Sequence, residues 1–175
     1  MARSRIKKLD RDELWNYALR ALGQKARSMA EIRQKLAARA ASAADVSAIV
    51  AKLREYGLAD DRKFSESFAA SRLENRGFGK FRVLRDLRSK RVSSTLATSA
   101  VEKAFANTDE AELIEQFLAR RFRGKNLAEF LKEEKNVAAA YRKLRTAGFS
   151  SARSLEALKR YRRSEDWDAV PEEEE

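Results

Sequence analysis

Three segments of this chain repeat one another at intervals of about fifty residues, and each reads as helix. Asp10-Arg11-Asp12-Glu13-Leu14 opens a segment that continues to Leu22. Asp60-Asp61-Arg62-Lys63-Phe64 opens another to Leu73, and Thr108-Asp109-Glu110-Ala111-Glu112-Leu113 a third to Phe122. In each, acidic residues precede apolar ones spaced for one helix face: Leu14 and Ala18, Phe64 and Phe68, Leu113 and Phe117. A second register agrees: Leu87-Arg88-Ser89-Lys90-Arg91-Val92 matches Leu144-Arg145-Thr146-Ala147-Gly148-Phe149, with Leu36 in the equivalent place earlier. Modules this small bury too little apolar surface to stand alone, so they stack in series and present an extended surface suited to long partners.

Composition points the same way. The one proline, Pro171, lies beyond the repeats, and no segment sustains strand alternation. Apolar runs are too short for a membrane-spanning helix. The basic N-terminus lacks the apolar core of a secretion signal, so a cytoplasmic protein with no membrane contact is expected. The expected organisation is a basic arm (1–9), three three-helix repeats (10–58, 59–106 and 107–163) and an acidic tail (164–175).

The net charge of +11 conceals a division. Residues 1–59 carry +7, residues 60–105 +5 and residues 106–163 +6, whereas residues 164–175 carry −7. A body this basic favours a polyanionic partner: nucleic acid, an acidic protein surface or a nucleoprotein filament.

Along the chain, the first helix reads as 12–22, broken at Gly23. Ser28-Met29-Ala30-Glu31 has the form of a capping box, starting a helix that buries Met29, Ile32 and Leu36. Asp45 is expected to open a third helix that ends at Gly57, a left-handed stop. In the second repeat Asp60 or Asp61 caps the first helix. Arg76-Gly77-Phe78-Gly79-Lys80 reads as a flexible basic turn into a helix over 81–90, where Val83, Leu84 and Leu87 oppose Arg82, Arg85 and Arg88. A helix over 94–105 and an Asn107-Thr108 cap follow. The third repeat reads as helices over 109–122, 137–146 and 151–161, with a charged insertion at 125–135.

The chain has neither histidine nor cysteine, which removes the usual general base, thiolate nucleophiles and the zinc sites built on them. Asp60-Asp61 at a helix start reads as capping rather than cation binding. Gly77-Phe78-Gly79 lacks the third glycine and the Lys-Ser/Thr pair of nucleotide loops. A non-enzyme without cofactor or metal is expected. The richest functional candidates are Arg76, Lys80, Arg82, Arg85, Arg88, Lys90 and Arg91, since guanidinium forks suit phosphate and carboxylate alike. Aromatics do not alternate with these cations as in a base-stacking platform, and Phe64, Phe68, Phe81 and Phe117 read as core. Trp15 and Tyr17 beside the first stripe stay open between surface and a repeat junction.

Three stretches carry a family resemblance: Leu22 with Arg27-Ser28-Met29-Ala30-Glu31-Ile32-Arg33-Gln34-Lys35-Leu36; Gly57-Leu58-Ala59-Asp60-Asp61-Arg62-Lys63-Phe64; and Gly77-Phe78-Gly79-Lys80-Phe81-Arg82-Val83-Leu84-Arg85-Asp86-Leu87-Arg88-Ser89-Lys90. Over about residues 12–161 the chain resembles the RecX family of bacterial regulatory proteins. The resemblance implies an all-α fold, with three tandem three-helix repeats packed in series into an elongated, curved molecule. A monomer is expected, and the resemblance implies that it binds in the helical groove of a RecA filament on single-stranded DNA. There it would inhibit filament growth, ATP hydrolysis, strand exchange and co-protease activity, and temper the SOS response. In that setting the groove-binding residues would be Arg76, Lys80, Arg82, Arg85, Arg88, Lys90 and Arg91, with Lys25, Arg27, Arg33 and Lys35 as a second patch and direct contact with single-stranded DNA open. Glutamates at 82, 85 and 88 should then abolish binding and spare helicity. The chain departs from the family pattern at Arg91 and at Ala40-Ala41, where the family often has glycine, in the 125–135 insertion and in the acidic end.

Two other readings compete: a DNA-binding protein acting alone through helix-turn-helix units, and a protein scaffold with no nucleic-acid link. Against the first, each supposed recognition helix also carries much of the core, and no Asn, Gln and Arg cluster suggests base readout. An acidic tail folding back on the basic body is a further expectation for residues 165–175.

Overall fold

The structure, a computed structural model, describes residues 8–161. The acidic tail, and the basic arm up to residue 7, lie outside the described residues. Within them are ten α-helices and no strand, apart from one isolated bridge between Leu9 and Ala40. None of these helices is long and apolar enough to cross a membrane. The chain forms two compact units: residues up to Phe68 with Asp86–Ala100, and Ala69–Arg85 with the residues from Val101 on.

The first unit is built on α1 (Arg11–Gln24), α2 (Met29–Arg39) and α3 (Ala43–Glu55). Leu14, Ala18, Ile32, Leu36, Val46, Ile49 and Leu53 close its core, each large side chain contributing about 1.5–3 kcal/mol. Trp15 and Tyr17 pack half-buried against it, with Lys52 over the Trp15 ring at 4.4 Å. Two helix starts carry complete capping boxes: Asp10 with Glu13, and Ser28 with Glu31. The third helix starts earlier than expected. Ser42 is its cap and accepts from the Asp45 amide, which places Asp45 inside the first turn. α1 likewise runs through Gly23, because a single glycine near a helix end costs only about 1 kcal/mol.

The second unit rests on α7 (Glu110–Arg121), α9 (Glu134–Ala147) and α10 (Ser151–Lys159), with α10 packed on both of the others. Ile114, Leu118, Leu131, Leu144, Phe149 and Leu158 are fully buried there. Asp109, not Asn107-Thr108, caps α7 by accepting from the Ala111 amide. The charged insertion holds a short helix, α8 (Leu127–Phe130), capped by Asn126, and α9 begins three residues before its expected start. Ser150 caps α10, and Glu110 accepts from both its amide (2.7 Å) and its hydroxyl (2.9 Å).

Three of the remaining helices are α4 (Asp61–Arg76), α5 (Lys80–Ser89) and α6 (Ser94–Ala104). Asp60 caps α4 by accepting from the Arg62 and Lys63 amides, while the Asp61 carboxylate accepts from the Met29 amide at 2.8 Å. On α5, Val83 and Leu87 are fully buried, and Phe81, expected in the core, is 60% exposed. Two residues along a helix turn about 200°, so the direction that buries Val83 turns Phe81 outward.

The repeated Leu-to-apolar register turns out to be a helix stop. At Leu53–Leu58, Leu87–Val92 and Leu144–Phe149 the last amide donates to the first carbonyl (2.9, 3.3 and 3.2 Å). The preceding residue is left-handed in each: Gly57 (φ 63°), Arg91 (φ 57°) and Gly148 (φ 90°). These are Schellman motifs. The end of α2 has no glycine and takes another route. Ala40 stays extended, the Leu9 amide donates to the Arg39 carbonyl (2.8 Å), and the Ala41 amide donates to the Leu9 carbonyl (3.2 Å).

Candidate polyanion-binding surface

In the second unit the N-terminus of α5 meets the C-terminus of α9. The Gly79 amide donates to the Ala147 carbonyl at 2.9 Å, and the Phe81 amide to the Gly148 carbonyl at 3.1 Å. Backbones approach this closely only because both partners are glycine. A Cβ on Gly79 would lie 2.2 Å from the Gly148 oxygen, and one on Gly148 would lie 2.1 Å from the Arg82 nitrogen. The Gly77-Phe78-Gly79 turn is therefore a close-packed junction, not the flexible turn expected from its composition.

Arg82 and Arg85 project from α5 onto the same junction. Both donate to the Thr146 carbonyl, at 3.2 and 3.3 Å, and so complete the C-terminal turn of α9 with positive charge where the helix dipole is negative. Arg82 also lies over the Phe78 ring at 5.1 Å. Lys80 reaches toward the Phe105 ring at 6.0 Å, and Arg76 is exposed at the end of α4.

The other candidates belong to the first unit. The Lys90 carbonyl accepts from the Ser28 hydroxyl at 2.7 Å, and its ammonium pairs with Glu31 at 2.7 Å. This contact brings the second patch, which begins beside Ser28, next to the end of α5. Burial pushes the Glu31 carboxyl up, but the Lys90 hydrogen bond, the Ser28 amide and the Lys90 and Lys25 charges outweigh it and hold it below its ordinary value. Arg27 donates to the Ala21 carbonyl at 3.1 Å. Arg33, Arg88 and Arg91 are exposed, Lys35 is half-buried, and none of the four has a side-chain partner among the described residues.

Apart from Lys35 and Lys80, the predicted cations fall into two groups. Arg27, Arg82, Arg85 and Lys90 hold local structure. The side chains of Lys25, Arg33, Arg76, Arg88 and Arg91 are exposed and make no ion pair or hydrogen bond among the described residues. Sequence reasoning missed a third set, Arg121, Arg142 and Lys143. They gather with Phe78 and Phe117 around a groove of about 460 Å³ in the second unit. No spacing signal could have found it, because its residues come from three separate segments.

Models of the first and second three-helix domains of RecX match residues 15–53 and 60–101. The chain is 32% identical to the regulatory protein RecX of Chromohalobacter salexigens over 70% of its own length and 80% of that protein. It is 31% identical to that of Mycobacterium sp. strain JLS over 81% and 78%. With the RecX of Chlorobium phaeobacteroides it is 34% identical over half of this chain, spanning 58% of that protein. The crystal structure of RecX from Lactobacillus salivarius superposes with a TM-score of 0.63 at 20% identity, covering 86% of this chain and 96% of that one. At that identity the likeness establishes a shared all-helical fold.

Proposed function

Because the chain belongs to the RecX family of regulatory proteins, we propose that it is a negative modulator of the RecA recombinase, acting by binding and not by catalysis. It seats in the groove of a RecA filament on single-stranded DNA and inhibits filament growth, ATP hydrolysis, strand exchange and co-protease activity. The observation that carries this reading is the set of exposed, unpaired cations on ordered helices. Arg33, Arg76 and Arg88 are exposed, and among the described residues no carboxylate pairs with them. A filament groove offers acidic protein surface and DNA phosphate in repeated copies, so many modest contacts add up to firm binding without one strong site.

Reversing Arg82, Arg85 and Arg88 together is a poor test, since the first two hold the Thr146 carbonyl. Arg76→Glu with Arg88→Glu is the sharper change, because neither side chain has a partner to lose among the described residues. Helical circular dichroism should be retained, and retention on RecA filaments in a sedimentation assay should be lost. Unchanged sedimentation would remove these residues from the interface. Tight retention on bare DNA with no effect on filaments would favour the stand-alone DNA-binding protein.

A further inference from the structure

The groove in the second unit has a chemistry that the filament reading does not use. Its floor is apolar, formed by the half-buried rings of Phe78 and Phe117 with Ala139 and Ala147. Arg82, Arg121, Arg142 and Lys143 surround it, and among the described residues no carboxylate lines it. Phe117 and Arg121 stand one turn apart on α7, while Ala139, Arg142, Lys143 and Thr146 form one stripe of α9. The two helices therefore bring rings and cations onto one surface. Phe117 is braced from behind by an edge-on contact with buried Phe149, ring centres 5.5 Å apart. Arg82 is held by the Thr146 carbonyl, but Arg121, Arg142 and Lys143 have no side-chain partner among the described residues.

We propose that this groove is a binding site for single-stranded nucleic acid, with a base laid on Phe117 and Phe78 and the flanking phosphates taken by Arg121, Arg142 and Lys143. A single strand alternates flat rings with anions, and the groove offers rings beside cations. Its volume lies in the range of small-ligand pockets, so one nucleotide fits. Among the described residues no Asn, Gln, Asp or Glu stands in the lining to read a base edge, which makes the site tolerant of sequence. An acidic peptide is the weaker match. The Thr146 carbonyl, which could accept from a peptide amide, is already taken by two arginines.

The test uses the full chain without any recombinase, so its outcome is independent of filament binding. Fluorescence anisotropy follows a labelled short oligothymidylate and an abasic oligomer of equal length, each over a range of salt. The oligothymidylate should bind about tenfold tighter, a difference of stacking size. Phe117→Leu, which keeps an apolar side chain but removes the ring, should erase most of that ratio. Arg142→Ala with Lys143→Ala should weaken both oligomers and reduce the log–log salt slope by about 1.4, two phosphate contacts' worth. The double variant lies on the outer stripe of α9 and tests the site even if Phe117→Leu loses helicity. Equal binding of the two oligomers would overturn the proposal, as would an unchanged salt slope in the double variant or the absence of low-salt binding. Displacement by polyglutamate as effective as by unlabelled oligothymidylate would also overturn it and assign the groove to an acidic protein surface.

Discussion

Two positions of the same motif should respond to substitution with opposite signs. Arg91 and Gly148 each hold the left-handed residue of a Schellman stop, at φ 57° and 90°. That conformation costs an L-residue about 1–2 kcal/mol. Arg91 bears the cost, its side chain is exposed, and its backbone amide donates to the Arg88 carbonyl. Arg91→Gly removes the penalty, while the greater freedom of glycine in the unfolded chain offsets about 0.4–1 kcal/mol. A net gain of about 0.5–1 kcal/mol is expected, raising the Tm by about 1–4 °C for a chain of this size. Gly148→Ala introduces the same penalty and also drives its Cβ to 2.1 Å from the Arg82 nitrogen, a backbone atom that cannot swing aside. Adding about 1–3 kcal/mol for forced overpacking gives a loss of about 2–5 kcal/mol. Thermal and urea unfolding, followed by far-ultraviolet circular dichroism, measures both. A loss of stability in Arg91→Gly would refute the argument, because it would mean the arginine side chain contributes more than its backbone conformation costs.

Two pH dependences follow from the ionisable contacts. The Glu31 carboxyl is held below its ordinary 4.5, so its stabilising effect is full above about pH 4.5 and is lost as pH falls through the lower folded value. Glu31→Gln should flatten the acid side of the Tm profile, and its double-mutant cycle with Lys90→Met should give a coupling of about 1 kcal/mol or less. Tyr161 donates to Glu115, and burial together with that carboxylate pushes its phenol up to about 12 from 10.0. Its contribution is full below about pH 10 and is lost as pH rises from there toward 12. Ultraviolet difference titration should show one tyrosine ionising late, and Tyr161→Phe should remove it.

What the sequence disclosed was governed by distance along the chain. The Ser28 box, the left-handed stop at Gly57 and the Leu87/Leu144 register are all local, because caps and Schellman motifs are closed by residues three to five apart. The all-helical fold follows from the same signals. Features that depend on distant segments were not legible. Aromatics do not alternate with the basic residues along the chain, and Phe117 reads as core, yet folding sets Phe78 and Phe117 in one groove with cations from α7 and α9. Arg82 and Arg85 look like any exposed basic face until the C-terminus of α9 arrives to use them. Gly77-Phe78-Gly79 reads as a loop because its partner, Gly148, lies some seventy residues away. Phe81 sits near enough to the apolar stripe of α5 that only the structure separates it from Val83.

The central claim is that this chain restrains a RecA filament, and the most direct measurement is RecA ATP hydrolysis on single-stranded DNA while the protein is titrated in, with binding to bare DNA followed in parallel. The account predicts loss of hydrolysis at substoichiometric protein, with much weaker retention on the bare strand at the same salt. Hydrolysis that continues unchanged while the protein coats the bare strand tightly would contradict it.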